Sequence, residues 1–300
     1  MLSRRHFLQT LGMAMAAAPA ASSLFRRVPF AEDTSDGFTA LRRGVGIFRK
    51  QGGTIGWLIR DGALVVVDTQ SPKTAPDCWT GLRDRTEEAL DFVINTHHHG
   101  DHTGGNGVFA EYTDRIIAHE NVPSLMRAAA DDEANSVYPT ETFETTVSEQ
   151  VGDETITLRY HGPAHTGGDA TIHFEKANVV HVGDLVFNRA YPFIDVQGGA
   201  DSRNWISELE TIHDQFDDDT IFIHGHANPE FGPTGGREDL LVMRDFLSAL
   251  NEYVLQQRQA GASLKEMKQK TAFEGFEAFN FDWALSLSAC IEAVYREQTG

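Results

Sequence analysis

The sequence predicts an α/β (α+β) protein with layered αββα packing, and three observations carry that expectation. Apolar runs rich in β-branched residues gather in two stretches, about 38–70 and again about 154–184. Helical periodicities are interleaved with these runs and dominate after them. No Gly-rich phosphate loop follows any strand, which argues against a doubly wound nucleotide-binding arrangement. "GPTGGRED" at 232–239 reads only as a loop entering a helix.

Each element follows from local pattern. "TIGWLIR" and "ALVVVDT" read as two strands joined by Asp61-Gly62, a pair suited to a type I′ hairpin turn. "TAPDCWTGLRDRTEEAL" reads as a helix, and "DFVINT" as a buried strand running straight into a histidine cluster. "RIIAH" is a short strand, followed by helical "ENVPSLMRAAADDEA". Strands return at "ETITLRY", "ATIHFE" and "NVVHVGD". "DSRNWISELETIHDQF" has Asp201 or Ser202 as a cap and Trp205, Leu209 and Ile212 on one face, so it reads as a helix. "TIFIHG" is the last strand. The long amphipathic "GREDLLVMRDFLSALNEYVLQQRQ" and the shorter "SLKEMKQKT" and "DWALSLSACIEAVYREQ" form a C-terminal helical extension over 236–300.

Composition narrows the function. Hydrophobic residues make up 41% of the 300 and aromatics 10%, enough for a packed core. The net charge is −19, from 44 acidic against 25 basic side chains. Such a surface repels phosphate backbones, which excludes nucleic acid as a general partner. Cys78 and Cys290 match no metal or redox spacing and read as buried thiols; whether they pair is not set by the sequence.

The first residues stand apart. "SRRHFLQTLGMAMAAAPA" carries paired Arg4 and Arg5, then Phe7 and Leu8, then an Ala/Met-rich run ending in Ala18-Pro19-Ala20. The run is too short and too rich in alanine for a stable membrane span. It resembles a twin-arginine export signal, assigned to residues 1–24, and implies transient contact with that export machinery and a periplasmic or secreted protein.

The chemistry centres on "INTHHHGDHTGGN", which holds four histidines and one aspartate within His97–His102. A strand ending in a loop aims alternate side chains at one point, which groups His97 with His99 and turns His98 away as a supporting or packing residue. Asp101 and His102 follow at the turn into a helix begun by Thr103-Gly104-Gly105. Neutral imidazole and carboxylate suit a borderline cation such as zinc. Other strand ends supply partners: His165 in "GPAHTGGDA", Asp184 in "VVHVGDLVF" and His226 in "IFIHGHANP". His97, His99 and His165 make one three-nitrogen site. Asp101, His102 and His226 make a second, and Asp184 can bridge the two. His173, His181 and His213 lie inside regular elements, His119 and His161 lack a glycine loop, and His224 competes with His226.

With these marks in order, the chain resembles a metallo-β-lactamase superfamily hydrolase, through H-x-H-x-D-H and the downstream His, Asp and Gly-His. The resemblance spans roughly 38–230, within a domain expected over 30–235. It implies a four-layer αββα sandwich with two Zn2+ (Fe or Mn as substitutes) at one edge. It also implies that the ligand follows the glycine, hence His226 over His224, and that Asp68 supports the metal loop.

Two such ions bring the pKa of water toward neutrality, so a shared hydroxide is expected to attack a small-molecule ester, thioester, lactone or β-lactam. Asp101 is expected to orient it and pass a proton to the leaving atom. Asp184 stands where dedicated β-lactamases of this family usually carry Cys or Ser, and the lactonase branch usually has a tyrosine soon after that position. Here Tyr191 is the nearest, and Arg189 is either a carboxylate-binding group or an exposed ion-pair residue. The alternatives are a β-lactamase proper, a non-enzymatic binding role, and a mononuclear iron persulfide dioxygenase-like enzyme using His97, His165 and Asp184.

Overall fold

The computed structural model describes residues 36–130 and 136–300. The export segment expected over 1–24 lies outside the described residues, as does most of the far end of the helix expected over 120–134.

Two sheets face each other. The first runs β1 (Phe38–Arg42), β2 (Val45–Phe48), β3 (Ile55–Arg60), β4 (Ala63–Val67), β5 (Phe92–Ile94), β6 (Ile116–His119) and β7 (Glu141–Phe143), in that spatial order. Its first four strands form an antiparallel meander, and β4 to β7 are parallel. The second sheet contains β8 (Thr146–Val151), β9 (Glu154–Tyr160), β10 (Ala170–Phe174), β11 (Val179–His181), β13 (Ile221–Ile223) and β15 (Thr234–Gly235), in the order β15-β13-β11-β10-β9-β8. A two-residue pair, β12 (Phe187–Asn188) with β14 (His226–Ala227), lies apart from both.

Period-2 alternation assigns each face. Val65 and Val67 of β4 join Val179, Ile221 and Ile223 in the core between the sheets. Leu64 and Val66 turn outward to α1 (Ala75–Arg83) and α3 (Asn106–Phe109), through Cys78, Leu82 and Phe109. On the far side, Val180 and Phe222 meet Trp205 and Leu209 of α5 (Ser202–Gln215), Phe246 of α6 (Glu238–Gln259) and Ile291 of α8 (Leu287–Thr299). Because β4, β11 and β13 are buried on both faces, they read as continuous apolar runs rather than alternating ones. The layers are therefore α, β, β, α, as expected. Both cysteines are buried and unpaired, one in each outer layer.

Local expectations needed correction. Only Gly62 of the β3–β4 turn has a positive φ (69°), so the turn is not type I′, which requires it at Asp61 as well. α1 stops at Arg83, and the following chain folds back, with Thr86 Oγ1 accepting from Glu88 N. The helix after the histidines begins earlier than expected: α2 (Gly100–Thr103) contains Asp101 and His102. The loop "GPTGGRED" contributes β15, and the helix expected over 263–271 shrinks to α7 (Leu264–Met267). α4 (Val122–Ala129) and α5 fall where expected, and Asp201 caps α5 by accepting from Arg203 N and Asn204 N.

Topology brings the site to one edge. β4 and β5 end there, as do the parallel β11 and β13, and the antiparallel β10 begins there. At that edge the sheets are tied together: Thr54 N and Oγ1 donate to Gly225 O, and His181 Nε2 donates to Thr54 O at 2.9 Å. His181, inside a strand as expected, is thus a cross-sheet tie.

Candidate metal centre

Seven side chains meet at this edge. His97, His99, His165 and Asp184 form one group, and Asp101, His102 and His226 another; within each group the donor atoms lie within 4.8 Å of one another. All seven residues singled out in the sequence are brought together. Asp184, in a 3-10 turn over Gly183–Leu185, stands between the groups. Its Oδ2 is 3.9 Å from His97 Nε2, 3.5 Å from His165 Nε2 and 3.5 Å from His226 Nε2, while Oδ1 is 3.0 Å from His102 Nε2.

Hydrogen bonds on the far side of each ring set the tautomers. Thr96 Oγ1 donates to Asp68 Oδ2, so it must accept from His97 Nδ1 (3.0 Å), leaving His97 Nε2 bare. His99 Nε2 donates to Asp195 Oδ2 at 3.0 Å, leaving Nδ1 bare. His165 Nδ1 donates to Phe193 O at 2.6 Å, leaving Nε2 bare. His102 Nδ1 donates to Asp68 Oδ2 at 2.7 Å, leaving its Nε2 bare as well.

Three of these bare lone pairs then converge. His97 Nε2 is 3.0 Å from His99 Nδ1, which is 3.1 Å from His165 Nε2. Acceptors so close repel unless a cation sits among them, and Asp184 Oδ1 likewise faces the bare Nε2 of neutral His102 at 3.0 Å. The donor set therefore fits a divalent metal in each group: three imidazoles with a shared carboxylate, and an imidazole pair with two carboxylates.

Electrostatics agree for the first group. Burial keeps His97 far below the ordinary histidine pKa and pushes His165 down to about 3, so both rings are neutral, as metal ligation requires. His102 goes the other way: burial lowers its pKa, but Asp184, Asp101 and Asp68 raise it well above normal. A proton on His102 and a cation beside it are alternative answers to the same three carboxylates. Burial tends to raise Asp101 and Asp184, yet the charge of His102 and contact with His226 hold Asp101 down to about 2 and Asp184 well below the usual range.

The backbone is shaped for these approaches. A Cβ on Gly225 would lie 1.9 Å from Asp184 Oδ1, and one on Gly53 would strike the His102 ring at 2.2 Å. The glycine before His226 is thus required by Asp184. Asp68 sits at φ 63°, where its carboxylate also accepts from Thr96 N at 2.8 Å.

Asp195 is the residue that sequence reasoning missed. Its Oδ2 takes His99 Nε2 and lies 3.3 Å from His98 Nε2, while Oδ1 accepts from Gly198 N at 2.8 Å. His98 turns away from the two main groups, as expected, and toward this carboxylate. The signal was Asp195 followed by Gly198-Gly199, which is indistinguishable from an ordinary turn.

Other candidates lie elsewhere. His224 is fully buried with neither ring nitrogen bonded among the described residues, and burial lowers its pKa to about 4; it faces Gly235 and Asp239, away from the cluster. Arg189 is neither exposed nor free for a substrate, because it pairs with Asp239 and Asn188. Tyr191 is buried between Phe246 and Phe279.

Comparison with known proteins gives the same answer. Residues 51–226 match the family described as the metallo-beta-lactamase superfamily. The alpha subunit of 2,4-dinitroanisole O-demethylase from a Nocardioides species is 30% identical over 132 residues, 42% of this chain and 39% of that protein. Hydroxyacylglutathione hydrolase from Pelagibacter ubique is 26% identical over 137 residues, 44% of this chain and 51% of that protein. The chain thus spans about half, or less, of these relatives' lengths. Among solved structures, the inverting sec-alkylsulfatase of a Pseudomonas species superposes with a TM-score of 0.70 at 16% identity, covering 88% of this chain and 50% of that one, which speaks to fold alone. With the family match covering more than half of its length and the candidate metal-binding residues gathered at one sheet edge, the chain belongs to the metallo-β-lactamase superfamily.

Proposed function

We propose that this protein is a two-metal hydrolase, with zinc the ion best suited to its donors, acting on an ester-, thioester-, lactone- or β-lactam-type bond of a small molecule. The observation that carries the reading is the convergence of bare imidazole nitrogens in two groups that share Asp184. A curated relative named as a hydrolase supports the reaction class. His97, His99 and His165 would hold one ion, Asp101, His102 and His226 the other, and Asp184 both. Bound there, such ions supply Lewis acidity that makes water a nucleophile near neutral pH.

The chain's own groups do the rest. Asp68 fixes His102 and, through Thr96, His97, so both present Nε2. Asp101 is the most exposed of the seven and is ionised at neutral pH, which suits it to accept a hydrogen bond from the attacking water and orient it. Thiol catalysis has no support, since burial raises both cysteine pKa values far above neutrality.

Hydrolysis of a panel of thioesters, lactones and cephalosporins by zinc-loaded protein tests the reading; no turnover on any of them would refute it. A single-iron persulfide oxygenase would use only His97, His165 and Asp184, and it leaves the gathering of Asp101, His102 and His226 unexplained. Export by the twin-arginine route is part of the proposal, on the motif at 3–8. Arg4→Lys with Arg5→Lys should strand active enzyme in the cytoplasm, and normal export of that variant would overturn this part.

A further inference from the structure

Two aromatic rings flank the ligand groups. Phe193 is 44% exposed, one of three large apolar side chains left so open among the described residues. Its ring lies 5.3 Å from that of His99 and 6.3 Å from that of His165. Trp283, from the C-terminal extension, lies 5.4 Å from His226 and is stacked with Phe281. One ring therefore borders each ligand group.

The rim is braced. Phe193 O accepts from His165 Nδ1, Tyr191 O accepts from Trp283 Nε1 at 3.1 Å, and Pro192 O accepts from Cys290 Sγ at 3.3 Å. Tyr191 itself is anchored in the α6 core. The backbone that carries the exposed phenyl ring is thus tied down beside the cluster, and an apolar ring left in water next to such a centre gains most from a flat apolar partner.

Charge limits what that partner is. Among the described residues no lysine or arginine pairs with Asp101, Asp184 or Asp195, whose ion-pair partners are all histidines. Arg189, on the same loop, is engaged by Asp239 and lies over Phe231 at 4.6 Å. The carboxylates beside the two rings thus have histidine partners alone, and the arginine of this loop is already committed, so an uncharged substituent suits the rim better than an anionic one.

We infer that Phe193 and Trp283 form a substrate subsite for an uncharged aryl or similarly flat apolar group attached to the scissile bond. This deepens, and rests on, the hydrolase reading. Phe193 lies inside the family-matched segment and Trp283 beyond its end at 226, so half of the subsite comes from the part of the chain that the family match does not include.

Thioesters of one thiol carrying phenylacetyl, acetyl or succinyl groups test the idea on the zinc-loaded full chain. The leaving group is constant, so differences report the acyl group. The expected order in kcat/KM is phenylacetyl above acetyl above succinyl. Phe193→Ala and Trp283→Ala should each cut the phenylacetyl-to-acetyl ratio about tenfold, mainly through KM, with both metals retained, and Phe193→Tyr should restore it. Quenching of tryptophan fluorescence by neutral phenylacetamide gives a readout independent of turnover, expected in the parent and weakened in Phe193→Ala. If no thioester is cleaved but phenylacetamide still binds at Phe193, the hydrolase reading fails on this bond while the subsite stands. Equal rates for the three acyl groups, a preference for succinyl, or an unchanged ratio in Phe193→Ala would overturn the subsite. So would concentration-dependent dimerisation abolished by Phe193→Ala, which would make the rim a contact between copies.

Discussion

The two ligand groups are built from the same residue types but held very differently. In the first, each ring is tied at its far nitrogen: His97 to Thr96, His99 to Asp195, His165 to the Phe193 carbonyl. In the second, His102 is tied to Asp68, whereas His226 is held by ring packing, stacked on Phe187 at 5.3 Å and against Trp283. The Asp101 side chain is 43% exposed. Second-layer hydrogen bonds preset ligand geometry and raise basicity, so the first group is the stiffer and the second the more adaptable. A cation should be held more firmly by the first.

The sharpest way to break this contrast is to remove a ligand from the stiff side. His165→Ala should abolish turnover, by about a thousandfold or more, because several kcal/mol of charge stabilisation depend on the first ion. Metal content measured on the same preparation should fall below that of any second-group variant. If His165→Ala keeps more metal than His226→Ala, the order of the two groups is reversed.

Asp184→Asn strikes between them. It keeps the size of the side chain but removes the charge that both groups share, so the second ion should be lost first and activity should drop strongly. Asp184→Cys should recover part of it through a charged, softer ligand to one ion. Retention of two ions and full activity in Asp184→Asn would show that this carboxylate is not shared.

A smaller effect is expected from Asp195→Ala, which frees His99 without touching a metal directly. Affinity at the first group should weaken about 10–100-fold, with partial rescue in Asp195→Asn, whose side-chain oxygen still accepts from His99 Nε2. Titration with a competing chelator would read this. The smallest effect belongs to His224→Ala, which should leave metal content unchanged because the ring faces Gly235 and Asp239.

Much of this was legible in the sequence, and what was missed follows from physics. β4, β5, β11 and β13 are buried on both faces and so announce themselves as apolar runs ending at the ligands. β8, "TVSEQV", was not seen, because an edge strand with mostly solvated side chains lacks an apolar signal. Histidines in a tight cluster stand out against composition, whereas Asp195 is one carboxylate among 44 acidic residues and takes its role only from a fold that carries it 96 positions along the chain to His99. Of the two readings of Arg189 the ion pair is the one found, though not exposed, and its partner Asp239 lies 50 residues away, beyond the reach of local pattern.

The central claim is that two ion-binding groups of unequal firmness share one carboxylate. Metal content per chain, followed during stepwise chelation of protein purified without added zinc and then zinc-loaded, tests it most directly. The account predicts two ions per chain in the parent, released in two separate steps, and one ion in His226→Ala, which lacks the early step. A single ion per chain in the zinc-loaded parent, or one iron accompanied by oxygen uptake, would contradict it.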